Sequence, residues 1–232
     1  MSDLSFFSGL AGFFFVLPIG LLVLVILVLA GGRGEVDDSG RRTYTLYLAV
    51  VSFIALFTAV IAFTTVVNAI MEKVVDEPQR GDRLEERAEE SGFDLDIDVG
   101  TGGDENDQIA REAVQAGLIG TVALGVLWFH LRRRRDVVTP PDFTGSAAWR
   151  VDRAYLYAVC FTAVLIFLFA SAVALYAVFR VIAPGVTGSG NDDLERQLGI
   201  QQLVTLGFLS TVVGYIYLGA WRRAEASALP TP

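Results

Sequence analysis

Five long apolar blocks constrain the fold of this chain more than any other feature. They cover residues 6–30, 44–71, 113–131, 154–181 and 200–221, and none has an acidic or basic residue near its middle. Each is close to the roughly 20 residues that an α-helix needs to cross a bilayer core. Strands of a membrane barrel would alternate polar and apolar residues, and these blocks do not. The sequence therefore predicts an all-α integral membrane bundle of five transmembrane helices.

The charges between the blocks predict the orientation of the helices. The connections 31–43 and 132–153 and the segment after 221 contain eleven arginines, whereas residues 72–112 contain fifteen acids and five bases, a net charge of −10. Basic residues stay preferentially on the cytoplasmic side of a membrane. We therefore expect a multi-pass plasma-membrane protein with its N-terminus outside and its C-terminus in the cytoplasm. The first block has no positively charged start and is too long for a secretion signal, which favours a retained helix.

A two-helix unit is predicted to occur twice. The second and fourth blocks begin RRTYTLYLAVVSFIALF and VDRAYLYAVCFTAVLIF, which share an arginine two residues before a tyrosine, a second tyrosine and a long apolar run. Parallel repeats of this kind imply a pseudo-two-fold axis along the membrane normal. The predicted organisation is an N-terminal transmembrane helix (1–32), a first hairpin (41–135) with an acidic extracytoplasmic loop (72–112), a second hairpin (150–223) and a cytoplasmic tail (224–232).

Small residues on the third and fifth blocks predict a close contact between two helices. Two strips, each on one face of its helix, consist of Ala113, Gly117, Thr121 and Gly125, and of Gly207, Ser210, Thr211 and Gly214. Small side chains let helix backbones approach each other in lipid. We therefore expect the third and fifth helices to pack together with both strips buried. The alternative, a pore lining, needs more polar groups at membrane depth than these blocks offer.

The doubled hairpin resembles a family of bacterial multi-pass membrane proteins, domain of unknown function 5671. The resemblance is carried by the arginine–tyrosine–tyrosine opening and the basic connection 132–153, and it would cover residues 41–223. It implies a four-helix membrane core, to which the first helix is an addition. It implies no established activity and no functional residues.

The acidic loop contains a candidate calcium site. Asp94, Asp96, Asp98 and Glu105 have the spacing of positions one, three, five and twelve of a calcium-binding loop. Val99 stands at position six, where the loop needs glycine to turn sharply. A solvated acidic linker and a protein-docking surface are the alternatives. The preceding segment, PQRGDRLEERAEESGF, predicts a separate charged helix of about ten residues.

An arginine run follows the third block. Four consecutive arginines, Arg132, Arg133, Arg134 and Arg135, lie where a helix would leave the membrane. Each could bind an anionic lipid headgroup and contribute about 1 kcal/mol to the binding free energy. The alternative is that the run serves only to fix the topology.

The residue types exclude most catalytic chemistry. The chain has one histidine and one cysteine, and it lacks a glycine-rich phosphate loop. His130, just before the arginines, is expected to anchor the helix at the interface, with a proton relay as the alternative. We therefore expect a non-enzymatic scaffold or accessory subunit without a cofactor, whose partners are lipid and other membrane subunits or a second copy, and not nucleic acid. The alternative is a small channel or permease with a path between the two repeats. That path would pass near Thr64, Asn68, Gln201 and Gln202.

Overall fold

Five helices make up the parts of the chain that the structure, a computed structural model, describes: residues 18–29, 40–90, 100–138, 145–184 and 192–226. The helices are α1 (Pro18–Leu29), α2 (Arg41–Glu90), α3 (Gly100–Val138), α4 (Ala147–Ile182) and α5 (Asp192–Ala226). The all-α prediction is therefore confirmed for these ranges.

Four of the helices are long and apolar enough to cross a membrane. The candidate spans are Arg41–Val74, Ile109–Val138, Ala147–Ile182 and Asp192–Ala226. Helix α1 has 12 residues, about 18 Å at 1.5 Å per residue, whereas the hydrocarbon core is about 30 Å thick. The first part of the predicted N-terminal span, residues 6–17, lies outside the described ranges. The chain is thus a multi-pass helical integral membrane protein with four long spans and a short N-terminal helix.

Local sequence explains where two of the helices begin and one ends. Gly145 has φ +83° and directs the chain into α4, whose first turn is capped by the Ser146 hydroxyl accepting the backbone N–H of Trp149 at 3.2 Å. The N–H of Ala183 closes the other end by donating to the Phe179 carbonyl at 2.8 Å. Gly40, with φ +64°, stands before α2 in the same way.

The acidic segment 72–112 is more helical than the sequence predicts. Helix α2 continues through Pro78 and Gly81 to Glu90, so the predicted charged helix is not separate, and α3 already begins at Gly100. The prediction of a break before that helix was wrong. Residues 82–90 are rich in Glu and Arg, which have high helix propensity, and this favours continuing a helix that is already nucleated.

Two antiparallel hairpins, α2–α3 and α4–α5, form the bundle, and α2 also packs on α4 and α5. Helix α1 packs on α2 and α4, with Leu24 and Val28 in the core. The centre of the core is formed by Phe53 and Phe57, whose ring centroids lie 4.9 Å apart. Around them pack alanines of α4 and the Leu209 and Val213 side chains of α5.

The third and fifth helices do not form the predicted seam. Along their described lengths, α3 and α5 have no extended packing, because α2 lies against both of them. The α3 face that is buried consists of Ala116, Gly120, Ala123, Leu127 and His130, and it meets α2. Thr121, Gly125, Gly207 and Thr211 are exposed instead. The prediction that both small-residue strips are buried against each other was therefore wrong for the single chain.

Candidate functional site

The arginine run at the end of α3 divides into exposed and buried side chains. Arg132 and Arg133 are exposed, and their guanidinium carbons lie 5.6 Å and 5.7 Å from the ring centroids of Trp128 and Phe129, one turn earlier. Helical side chains lean back along the helix toward its N-terminus, which brings these guanidiniums over the rings of the preceding turn. Their geometry is compatible with the predicted binding of anionic headgroups. We call this end of the bundle, where α3 ends and α4 begins, the arginine-rich end.

Arg134, by contrast, is buried and forms an ion pair with Asp152. Its Nε donates to Asp152 Oδ1 at 2.6 Å, its Nη2 donates to the Asp152 carbonyl at 3.4 Å, and its guanidinium carbon lies 3.9 Å from the centre of the Tyr155 ring. Arg134 and Asp152 are both buried. Because its side chain is buried, the structure does not support Arg134 as a lipid ligand. Arg135 is exposed and makes contacts of its own.

Arg153 also lies at the arginine-rich end, braced by aromatic rings. Its guanidinium carbon lies 4.8 Å from the centroid of Trp149 and 5.6 Å from that of Tyr157, and its Nη2 donates to the Tyr157 hydroxyl at 2.7 Å. Cation–π contacts of this kind restrict an arginine without neutralising it. The charge therefore remains available to a ligand at the membrane surface.

His130 links α3 to α2 and does not simply lie at the interface. It is buried, with Nδ1 2.8 Å from the Val126 carbonyl and Nε2 3.4 Å from the Tyr47 hydroxyl. A carbonyl can only accept, so Nδ1 carries the proton and, in the neutral ring, Nε2 accepts from Tyr47. The histidine thus fixes the position of α3 on α2 near the arginine-rich end.

A second buried ion pair lies at the opposite end of the bundle. Arg180 Nε donates to Glu195 Oε2 at 2.5 Å, and the Arg180 guanidinium carbon lies 5.8 Å from the Tyr176 ring centroid. Both charged residues are buried where α4 meets α5. The pair closes the α4–α5 hairpin, because the two residues stand on either side of its connection.

Polar side chains meet between α2 and α5, close to one end of the apolar block of each helix. Gln201 Nε2 donates to Asn68 Oδ1 at 3.3 Å, and both residues are buried. Thr205, one turn further along α5, is 5% exposed, and its hydroxyl has no partner in the described part of the chain. The Oε1 atom of Gln202 is buried and likewise unpartnered there. We call Asn68, Gln201, Gln202 and Thr205 the polar seam.

Three of the four residues predicted for a permeation path thus belong to the polar seam. Asn68 and Gln201 are in direct contact, and Gln202 is adjacent in sequence. Thr64 donates its hydroxyl to the Val60 carbonyl at 2.8 Å, which satisfies it within its own helix. The exposed Thr121 and Thr211 do the same toward Gly117 and Gly207.

The glycines that allow close helix contacts are not the predicted ones. A Cβ on Gly120 would lie 3.1 Å from the Phe63 ring, and one on Gly199 would lie 3.0 Å from the Ala177 carbonyl oxygen. A Cβ on Gly20 would clash with Phe53 and Thr162. At Gly125, Gly207 and Gly214 no described atom lies within 4 Å of that position. A signal for the correct face of α3 was present in the sequence, since Gly120 shares it with Ala116, Ala123 and the polar His130 and Arg134.

The calcium candidate cannot be placed within the described structure. Asp94, Asp96 and Asp98 lie outside the described residues, and of Glu105 only the helical backbone in α3 is described. Within the described residues, no three His, Cys, Asp or Glu side chains are grouped so that they could hold a metal ion.

Comparisons with known proteins add no relative: no protein-family model, curated protein or solved structure matches this chain. The resemblance to domain of unknown function 5671 therefore stays a prediction. What the geometry offers is a membrane bundle with two buried ion pairs, an exposed arginine-rich end and one polar seam.

Proposed function

We propose that this protein is a non-enzymatic scaffold or accessory subunit of a plasma-membrane complex, with its N-terminus outside, a fifth span formed by the N-terminal block, and its C-terminus in the cytoplasm. The observation that carries the proposal is the exposure of α3 and α5. Of their most apolar windows only 28% and 22% is buried, compared with 50% for α2. Helices with so much free surface can accept a protein neighbour in the membrane.

The two small-residue strips fit such a neighbour. Along their described lengths they do not pack on each other, and no described side chain lies in front of Gly125 on one strip or of Gly207 and Gly214 on the other. Small residues are enriched where membrane helices meet, because they allow the backbones to approach. The hydroxyls of Thr121 and Thr211 are already satisfied by their own helices and therefore add no cost in an apolar interface.

Cysteine cross-linking in native membranes tests the scaffold. In a Cys160→Ala background, Thr121→Cys places a thiol on the α3 strip, and Ile119→Cys places one on another exposed part of the same helix. We expect a bifunctional maleimide to trap a second copy or another membrane subunit at position 121 and not at 119, with mass spectrometry identifying what is trapped. Equal trapping at both positions, or none at either, would contradict the proposal.

The arginine-rich end supplies the second contact surface. Arg132, Arg133 and Arg153 are held by aromatic rings at the level expected for lipid phosphates, and we assign that end to the cytoplasmic, anionic leaflet.

A small channel or permease is the second candidate, and the polar seam favours it. Amide and hydroxyl groups at membrane depth often mark a solute path. Flux measurements on purified protein in liposomes distinguish the two functions. Flux of a small polar solute that is abolished by Asn68→Leu would support the permease over the scaffold. The carrier would need to open between α2 and α5, where the Asn68–Gln201 hydrogen bond now joins them.

A further inference from the structure

We infer that the polar seam binds ordered water, held by the Thr205 hydroxyl and the Gln202 amide oxygen beside the Asn68–Gln201 pair. This inference holds whether the protein is a scaffold or a permease, since it concerns the ground-state structure of the bundle.

Thr205 differs from Thr45 and Thr162, the other buried threonines of the described helices. Six threonines, these two among them, donate to the carbonyl four residues earlier: Thr45, Thr64, Thr65, Thr121, Thr162 and Thr211. This is the usual solution for a threonine in an apolar helix. Thr205 does not make this bond, although it is only 5% exposed, and its hydroxyl has no partner among the described residues. Its hydroxyl is therefore turned away from its own backbone.

Gln202 provides the second oxygen at the same place. It lies one turn before Thr205 on α5, and residues three apart in a helix are neighbours on its surface. Its position falls between Gly199, which faces α4, and Gln201, which faces α2, so it lies toward the junction of the three helices. A hydroxyl, which can donate and accept, and an amide oxygen, which can only accept, are thus buried without partners on neighbouring turns. They call for a group that can bond to both, because a buried polar group without a hydrogen bond is costly.

Water fits these groups better than a cation does. A water molecule is satisfied by two to four polar partners, and it can donate to both oxygens at once. Calcium takes about six to eight oxygens, whereas this seam offers uncharged amide and hydroxyl groups only, and the helix carbonyls around it are engaged in helical hydrogen bonds. Gln201 is nine residues into α5, about 13 Å from the start of that helix, so water can reach the seam from the nearer membrane surface.

A coupling experiment on the full-length protein in nanodiscs tests the inference. With bound water, Thr205→Val removes one of its partners and lowers the midpoint of thermal unfolding by about 2–4 °C. The double variant, Thr205→Val with Gln202→Met, lowers the midpoint by less than the sum of the two single reductions, because both residues bind the same water molecule. Thr211→Val is the matched control, since its hydroxyl is exposed and bonded within its own helix.

The opposite results would overturn the inference. Without water, Thr205→Val replaces an unpaired buried hydroxyl by a methyl group of the same shape, so the unfolding midpoint would be unchanged or raised. Midpoint reductions that simply add in the double variant with Gln202→Met would also contradict the inference. A higher midpoint for the wild type in sodium chloride than in an equal concentration of N-methyl-D-glucamine chloride would assign the site to a cation instead. If the variants fail to fold, radiolytic hydroxyl-radical labelling of the wild type decides: bound water labels Leu206, next to Thr205, and an unlabelled Leu206 overturns the inference.

Discussion

The guanidinium of Arg134 and the carboxylate of Asp152 lie 2.6 Å apart, and they join the end of α3 to the beginning of α4. The two hairpins otherwise meet through α2, which packs on both α4 and α5. The ion pair therefore holds the last turn of α3 against the first turns of α4. Tyr155 covers the guanidinium and keeps the pair away from solvent.

Loss of the Asp152 carboxylate should strongly destabilise the protein. Asp152→Ala leaves Arg134 buried and unpaired, which typically costs about 3–5 kcal/mol. Thermal unfolding in detergent measures the loss, and Asp136→Ala, an exposed aspartate at the same end, is the control that should change little. An apolar double replacement, Arg134→Met with Asp152→Leu, should recover most of the stability. Equal behaviour of the Asp152 and Asp136 variants would show that the pair contributes nothing.

Alanine substitutions at two glycines of α5 should have opposite effects on the stability of the protein. Gly199→Ala brings a methyl group to 3.0 Å from the Ala177 carbonyl oxygen and 2.7 Å from Val181, so it should separate α4 from α5 and lower the unfolding temperature. Gly207→Ala meets no described atom within 4 Å, and it should be neutral or stabilise by up to about 1 kcal/mol through helix propensity. Destabilisation by Gly207→Ala alone would show that the strip on α5 is packed after all.

The spans could be predicted from the sequence because a long apolar block without charges is stable only when lipid or protein surrounds it. Each of the four long candidate spans contains one predicted block, whereas the small-residue strips did not mark the faces that are buried within the chain. The strips did not identify the partners of α3 and α5 either. Gly117 and Gly120 are equally small, and α2 packs closely against Gly120. The ion pair of Arg134 was missed for the same reason, since four consecutive arginines look alike until the fold turns one of them inward.

The orientation of the bundle can be tested by labelling from one side. In a Cys160→Ala background, Arg133→Cys and Asp193→Cys place exposed thiols at opposite ends. We expect a membrane-impermeant maleimide to label position 193 in intact cells and position 133 only after permeabilisation, because basic ends remain in the cytoplasm. Labelling of position 133 in intact cells would invert the topology. Val122→Cys, an exposed position in the middle of the predicted block 113–131, should stay unlabelled in both conditions and controls for reaction of thiols within the lipid.

Removal of Arg132 and Arg133, two exposed arginines at the end of α3, should weaken binding of anionic lipid. Each contributes about 1 kcal/mol near a negatively charged leaflet, so Arg132→Gln with Arg133→Gln should lower lipid affinity roughly 30-fold at low salt. Native mass spectrometry of protein extracted with phosphatidylglycerol measures how much lipid remains bound. Arg196→Gln, an exposed arginine at the opposite end, is the matched control and should retain the wild-type amount. The loss should shrink as salt is added, because exposed charges are screened within about 10 Å at 0.1 M. A salt-independent loss, or an equal loss in the Arg196 variant, would show that these arginines do not act through headgroup charge.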